Sequence, residues 1–124
     1  MEHEETQGGR PTLELLRRAR AATTSLGEVL SAFDTTPDQW LILELLAQSG
    51  SSGLAMNELR VATGLSGGTL TRVVDKLIKD ALAFREVDPV DRRRVVVWIS
   101  TNGKELYRRS KNAVDEFESS LLPR

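Results

Sequence analysis

Gly64-Leu65-Ser66-Gly67-Gly68-Thr69-Leu70-Thr71-Arg72-Val73-Val74-Asp75-Lys76-Leu77-Ile78 decides how this chain folds. Gly64 suits the left-handed position that closes a helix, and Leu65 supplies the apolar contact that accompanies such a cap. Ser66 is a good N-cap, able to accept from the orphan amides that open the next helix. Upstream, Met56, Leu59 and Ala62 fall at helical spacing and predict a helix over about Met56 to Thr63. Downstream, Leu70, Val73, Val74, Leu77 and Ile78 share one face. Gly68, Arg72, Asp75 and Lys79 share the opposite one, with Thr69, Thr71 and Lys76 on its flanks. Two short helices about a glycine turn, the second with a buried stripe and a hydroxyl-and-basic outer face, form a helix-turn-helix pattern.

Beyond the second helix, Ala83 to Val87 reads as extended, and Asp88-Pro89-Val90-Asp91-Arg92-Arg93-Arg94-Val95-Val96-Val97-Trp98-Ile99 follows. Pro89 fixes its own φ and pushes Asp88 toward extended geometry, so the first four residues predict a tight turn. The three arginines then sit at or just past a hairpin tip. Val95, Val97 and Ile99 alternate with Val96 and Trp98, so both faces of the second strand are apolar. One face is expected on the core and the other under a neighbouring element. A guanidinium cluster on a narrow ribbon fits a nucleic-acid groove, whose walls are phosphates and whose floor is negative. Taken alone, the segment equally suits a solvated hairpin whose arginines pair with Asp88 and Asp91. The helix-turn-helix ahead of it favours the groove. Together they predict a winged helix: a mainly α protein with a small two-stranded β-wing (α+β).

Outward from this unit, Thr36-Pro37-Asp38-Gln39 combines an N-cap threonine, a proline at the first helical position and a glutamine three residues on, which is a capping box. Trp40, Leu41, Ile42, Leu43, Leu45 and Leu46 make that helix apolar almost all round, as befits the central core helix. Ser49-Gly50-Ser51-Ser52-Gly53 ends it in a loop. Toward the N-terminus, Thr12 is a candidate cap, and Leu15, Ala19, Ala22, Leu26, Val29 and Phe33 recur in steps of four and three. Such a seam suits pairing with another helix, in its own domain or in a second copy. A last helix opens within Ser100 to Asn102 and aligns Leu106, Ser110, Ala113, Phe117 and Leu121. The expected divisions are a flexible tail (1–11), an N-terminal dimerisation helix (12–35), the winged helix (36–100) and a C-terminal helix that also serves dimerisation (101–124).

A chain of 124 residues allows one domain, and its 40% hydrophobic and 28% charged composition is that of a globular protein. No apolar run approaches the roughly 18 residues of a membrane span, and Met1 to Arg10 lacks the apolar centre of a signal peptide, so a cytoplasmic address with no membrane partner is expected. The absence of cysteine excludes disulfides, thiolate zinc sites and thiol nucleophiles. His3 is the one histidine, which leaves no Ser-His-Asp set, and no GxxxxGK loop is present. The chain is expected to be no enzyme and to need neither metal nor cofactor. Net charge is only −1, but residues 60–111 hold twelve basic against six acidic side chains, and the remainder five against twelve. A dipolar chain of this kind can turn a basic face to DNA.

The order and wording of these pieces resemble the MarR family of bacterial regulators. The likeness runs from about Thr36 to Leu106, through Thr36-Pro37-Asp38-Gln39-Trp40, Asn57-Glu58-Leu59, Gly64-Leu65-Ser66, Thr69 to Leu77, Asp88 to Arg93 and Thr101-Asn102-Gly103. What the resemblance implies is a transcriptional regulator that binds a pseudo-palindromic operator in double-stranded DNA as a homodimer, a repressor released by a small aromatic or phenolic effector. The helix from Ser66 would enter the major groove and the wing the adjacent minor groove. In the family, the wing arginine reaches into the minor groove and an aspartate two residues earlier orients it; here these are Arg93 and Asp91, beside Arg92 and Arg94. Thr71 and Arg72 are the expected base contacts, since arginine can grip guanine with two prongs and threonine can meet a thymine methyl. Ser66, Thr69 and Lys76 suit phosphate contacts, and Gly68 permits close backbone approach to a phosphate. Asp75 is expected to organise basic residues. Trp40 and Trp98 are expected in the core rather than in an effector pocket. A winged helix serving as a protein-interaction module is the alternative.

The chain departs from the family pattern at several points. Ala55 stands where a capping threonine or serine is common, a loss of roughly 1 kcal/mol to the first motif helix. Ala81 replaces a frequent glycine, so the second helix is expected to end differently. Members also carry a further C-terminal helix that builds the dimer, and this chain stops near where it would begin.

Overall fold

The computed structural model describes residues 9–121. The expected tail falls almost wholly outside them. Five helices and three short strands follow in order: α1 (Pro11–Ser31), α2 (Pro37–Ser49), a 3₁₀ turn (Gly50–Ser52), β1 (Leu54–Ala55), α3 (Met56–Thr63), α4 (Gly67–Lys79), β2 (Ala83–Val87), β3 (Val95–Ile99) and α5 (Thr101–Ser119).

α2 is the hub. Its capping box is complete, with Gln39 N–H donating to Thr36 Oγ1 at 3.2 Å and Thr36 N–H to Gln39 Oε1 at 3.0 Å. Ile42, Leu43 and Leu46 are fully buried and join Leu59, Leu70, Val74, Leu77, Val97 and Ile99 in one core. Trp40 belongs to a second cluster with Leu30 and Val114. Its indole donates to Ser110 Oγ at 2.9 Å, and Ser110 in turn donates to the Leu106 carbonyl at 2.8 Å. Tyr107 stacks on the same indole, with ring centroids 5.5 Å apart. Burial and the nearby Glu44 push the Tyr107 phenol up to about 12, so it stays a neutral packing group.

The sheet has three strands rather than the two expected, in the order β1-β3-β2 and antiparallel throughout. β1 contributes only Leu54 and Ala55, opposite Val97 and Val96. Two residues are too few to show an alternation. The far face of β3 is covered only in part: Trp98, expected in the core, is half-buried, stacks on the exposed Phe84 of the neighbouring strand and donates to the Ser51 carbonyl at 3.1 Å. Gly53 makes room for that indole, because a Cβ there would lie 2.8 Å from Trp98 Nε1.

Both flanking helices differ in detail from expectation. α1 opens at Pro11, with Arg10 at the N-cap, because proline at N1 forfeits only an amide that would be orphaned anyway; Thr12 lies inside the helix. The one fully buried residue of α1 is Leu30, off the anticipated seam, and the helix stops at Ser31, short of Phe33. α5 is capped by Ser100, whose Oγ accepts from Gly103 N–H at 3.0 Å. Its buried line is Gly103, Leu106, Ser110 and Val114, while Leu121 is exposed. A Cβ on Gly103 would sit 2.1 Å from the Leu82 carbonyl oxygen, so glycine there lets the helix start abut the α4–β2 link.

Candidate nucleic-acid interface

α4 is seated by its inner stripe. Leu70, Val74 and Leu77 are buried, which turns Gly68, Thr71, Arg72 and Lys76 outward. Ser66 caps it, its Oγ accepting from Thr69 N–H at 3.3 Å. The same hydroxyl donates to Thr69 Oγ1 at 3.1 Å, and Arg72 Nη2 donates to that oxygen at 3.3 Å. The first turn therefore presents a row of hydroxyls leading to an exposed guanidinium. Asp75 does not hold Arg72; it pairs with Arg85 of β2 at 2.7 Å. Lys76 pairs with Asp80 at 3.1 Å, an exposed contact of the kind worth at most about 1 kcal/mol, which a phosphate could replace.

Gly67 and Gly68 are both helical and both exposed. A Cβ on Gly67 would meet nothing within 4 Å, and one on Gly68 only Arg72 Nη1 at 4.0 Å. Packing among the described residues therefore gives no reason for glycine at either position.

The wing is tied at its tip by backbone and carboxylates. Asp88 N–H donates to the Arg94 carbonyl at 2.7 Å, and Arg94 N–H to the Asp91 carbonyl at 2.9 Å. Asp88 Oδ1 accepts from the amides of Val90 at 2.8 Å and Asp91 at 3.2 Å. Those two amides, and then the Arg94 guanidinium, hold the Asp88 carboxyl below the usual aspartate range. Asp91 Oδ1 accepts from both the amide and Nε of Arg93, at 3.1 and 3.4 Å, while the Arg93 side chain remains 93% exposed. Arg92 is exposed beside it. Arg94 is placed differently, between Glu58 of α3 and Asp88 of the wing, each at 3.6 Å. A cleft of about 410 Å³ lies between the start of α3 and the wing, lined by Ala55, Met56, Asn57, Asp91, Arg93 and Arg94.

The roles of two residues of this surface escaped sequence reasoning. Arg85 and Glu58 matter through ion pairs across elements, and no local spacing announces them. Glu58 also offsets the missing side-chain cap at Ala55, since its Oε1 accepts from Ala55 N–H at 2.7 Å. Half a capping box thus survives the alanine. Ala81 was expected to change how α4 ends. Instead it takes the left-handed conformation itself, with φ +62°. Ala81 N–H reaches the Ile78 carbonyl at 3.0 Å and Leu82 N–H the Leu77 carbonyl at 2.8 Å, the bonding of a glycine-closed helix.

A helix-turn-helix with a basic outer helix and an arginine-tipped wing defines a winged helix of the DNA-binding class. The MarR family model matches residues 33–94, half of the chain. The chain belongs to the MarR family. It is 29% identical over 102 residues to the HTH-type transcriptional regulator FarR of Neisseria gonorrhoeae, covering 82% of this chain and 68% of that protein. It is 25% identical over 105 residues to the homoprotocatechuate degradative operon repressor of Escherichia coli, covering 85% and 70%. Among solved structures, S. aureus MepR in complex with DNA superposes with a TM-score of 0.83 at 25% identity, covering 90% of this chain and 82% of that one. The chain is a DNA-binding transcriptional regulator and not an enzyme.

Proposed function

We propose that this regulator is a cytoplasmic repressor that binds a pseudo-palindromic operator as a homodimer, α4 in the major groove and the wing in the minor groove. The observation that carries the proposal is Arg93, oriented by the Asp91 carboxylate yet almost wholly in solvent. An arginine fixed before binding loses less side-chain entropy when it enters a narrow groove of concentrated negative potential. Thr71 and Arg72 meet base edges. Ser66, Gly68, Thr69 and Lys76 approach phosphates, with Arg92 beside Arg93 on the wing. Two copies meet through α1 and α5: Leu13, Leu15 and Leu16 of α1 are 63, 67 and 50% exposed, an apolar stretch the single chain leaves uncovered. The sign of regulation follows the Escherichia coli relative, a repressor by name. An apolar groove of about 350 Å³ between α1, α2 and α5, lined by Leu26, Trp40, Leu41, Val114 and Phe117, is the place for a small aromatic effector.

A mobility-shift titration against the duplex flanking the protein's own gene tests the proposal. Binding weakens steeply with salt, Arg93→Ala weakens it, and Arg72→Ala costs about 1 to 3 kcal/mol and relaxes preference at one base pair. Indifference to both substitutions would remove α4 and the wing from the interface. Binding that ignores sequence at every salt concentration would instead favour a winged helix that engages another protein.

A further inference from the structure

Of the three wing arginines, Arg94 alone is shared between elements. Its guanidinium lies 3.6 Å from Glu58 Oε1 on α3 and 3.6 Å from Asp88 Oδ2 at the base of the wing tip. It is 44% exposed, against 93% for Arg93. On the other strand, Arg85 reaches back to Asp75 of α4 at 2.7 Å. Each strand of the wing is therefore fastened by an arginine to one helix of the helix-turn-helix. The cleft between α3 and the wing leaves the two apart at the level of the arginines, and the loop leading into β3, Pro89 to Arg94, is exposed throughout.

We propose that Arg94 is a positioning residue that straps the wing to α3 through Glu58 and so sets the angle at which Arg92 and Arg93 are offered to DNA, rather than a phosphate contact in its own right. The inference rests on the proposed role of the wing in DNA binding, but the strap itself can be tested without DNA. Glu58 is suited to the task because the oxygen that faces Arg94 is already fixed by Ala55 N–H, 2.7 Å away. A carboxylate held at a helix start is a rigid anchor. Free of that anchor, the wing would swing about its two strand ends and spread Arg93 over many directions. The loss would fall on affinity and not on the number of phosphates neutralised.

The distinguishing measurements use Arg94→Gln, Glu58→Gln and the double variant in the full chain. Glu58→Gln keeps a carbonyl oxygen to accept from Ala55 N–H, so α3 stays capped while the ion pair is lost. Far-ultraviolet circular dichroism melts of all three verify folding. For the free proteins, ¹⁵N heteronuclear NOE values of the Val90 to Arg93 amides report wing mobility. Fluorescence anisotropy with a mixed-sequence duplex of operator length, over a salt series, reports binding. As a strap, each single substitution lowers the wing NOE values and weakens binding by about two- to fivefold, the range an exposed ion pair can set. The double variant is no worse than the singles, and the slope of log affinity against log salt does not change. As a DNA contact, Arg94→Gln instead lowers that slope by about 0.9, Glu58→Gln leaves binding equal or tighter by removing a negative charge, and the two effects add. That pattern, or unchanged NOE values in both single variants, overturns the proposal. If wild-type protein binds no duplex while the NOE values fall as expected, the strap stands and the DNA reading fails.

Discussion

The segment from α2 to β3 and the helix α1 handle their apolar side chains in opposite ways. The first closes on itself: Ile42, Leu43, Leu46, Leu59, Val74, Leu77 and Val97 are all fully buried within one chain. α1 buries Leu30 and leaves three leucines of its first half in water. Burying an apolar side chain is worth roughly 1.5 to 3 kcal/mol. A winged helix that captures this gain alone is complete as a single copy. A helix that forgoes it along half its length leaves apolar surface open to a partner, and a second copy is the occupant proposed above. The difference separates residues chosen for the fold from residues chosen for what lies outside it.

The sharpest way to break that division is to truncate a leucine on each side of it. Leu46→Ala should destabilise the chain by about 3 kcal/mol, through lost transfer energy and the cavity left in a core with no slack. Paired Leu13→Glu and Leu16→Glu should leave the intrinsic stability of a dilute monomer within about 0.5 kcal/mol, since both side chains are already solvated there. The same pair should convert a dimer to a monomer in sedimentation, and the melting temperature should lose its dependence on protein concentration. Urea titrations at two concentrations measure both effects. A large loss in the charged α1 variant at high dilution would mean that α1 belongs to the self-contained half after all.

Gly68 tests whether residues chosen for an outside partner also occur within the closed half. Glycine in a helix costs about 0.5 to 1 kcal/mol relative to alanine, and nothing in the chain crowds a Cβ there. Gly68→Ala should therefore raise stability by up to that amount. It should also weaken operator binding, because the added methyl stands where the backbone would approach a phosphate. A more stable variant with unchanged affinity in a mobility-shift titration would detach Gly68 from the interface and leave a frayed helix start as its explanation.

The same division governs what could be read from the chain. Helix ends in the closed half are local, set by a capping side chain or a left-handed glycine together with nearby backbone groups. Thr36 with Gln39, Gly64 with Leu65, and Ser66 with Thr69 could each be read without knowing the rest of the molecule. The stripe on α4 was legible for the same reason, since its period is long enough to repeat. β1 was not, because two residues carry no period. The pairs Arg85–Asp75 and Arg94–Glu58 were not either, since each joins elements whose relative placement only the folded sheet defines. The α1 seam of Leu15, Ala19, Ala22, Leu26, Val29 and Phe33 does not say where its partner lies: within the chain Leu15 and Ala19 are exposed and Ala22, Leu26 and Val29 are half-buried, while Leu30, beside the seam, is buried. The wing arginines were legible as a cluster, with Arg93 set apart only by the family resemblance; in the structure Asp91 holds Arg93, while Glu58 of α3 and Asp88 hold Arg94.

Ala81 supplies the finest distinction, a residue unfavourable to the fold for which no outside contact stands as a reason. Its left-handed backbone costs an alanine roughly 1 to 2 kcal/mol, and glycine would escape that cost while losing about 0.5 to 1 kcal/mol through its freer unfolded chain. Ala81→Gly should thus be neutral to stabilising, by up to about 1.5 kcal/mol, in a urea titration. The turn it occupies is held by Ser100, whose hydroxyl donates to the Ala81 carbonyl at 2.7 Å, and by Ser100 N–H on the Leu82 carbonyl at 3.0 Å. Those bonds fix the end of α4 against the start of α5, so the substitution should relieve strain without moving α4. Operator affinity should stay as it is, in contrast to Gly68→Ala at the other end of the same helix. If Ala81→Gly changes affinity as well, the strained turn helps to set how α4 is presented, and stability and binding are not separable along this helix.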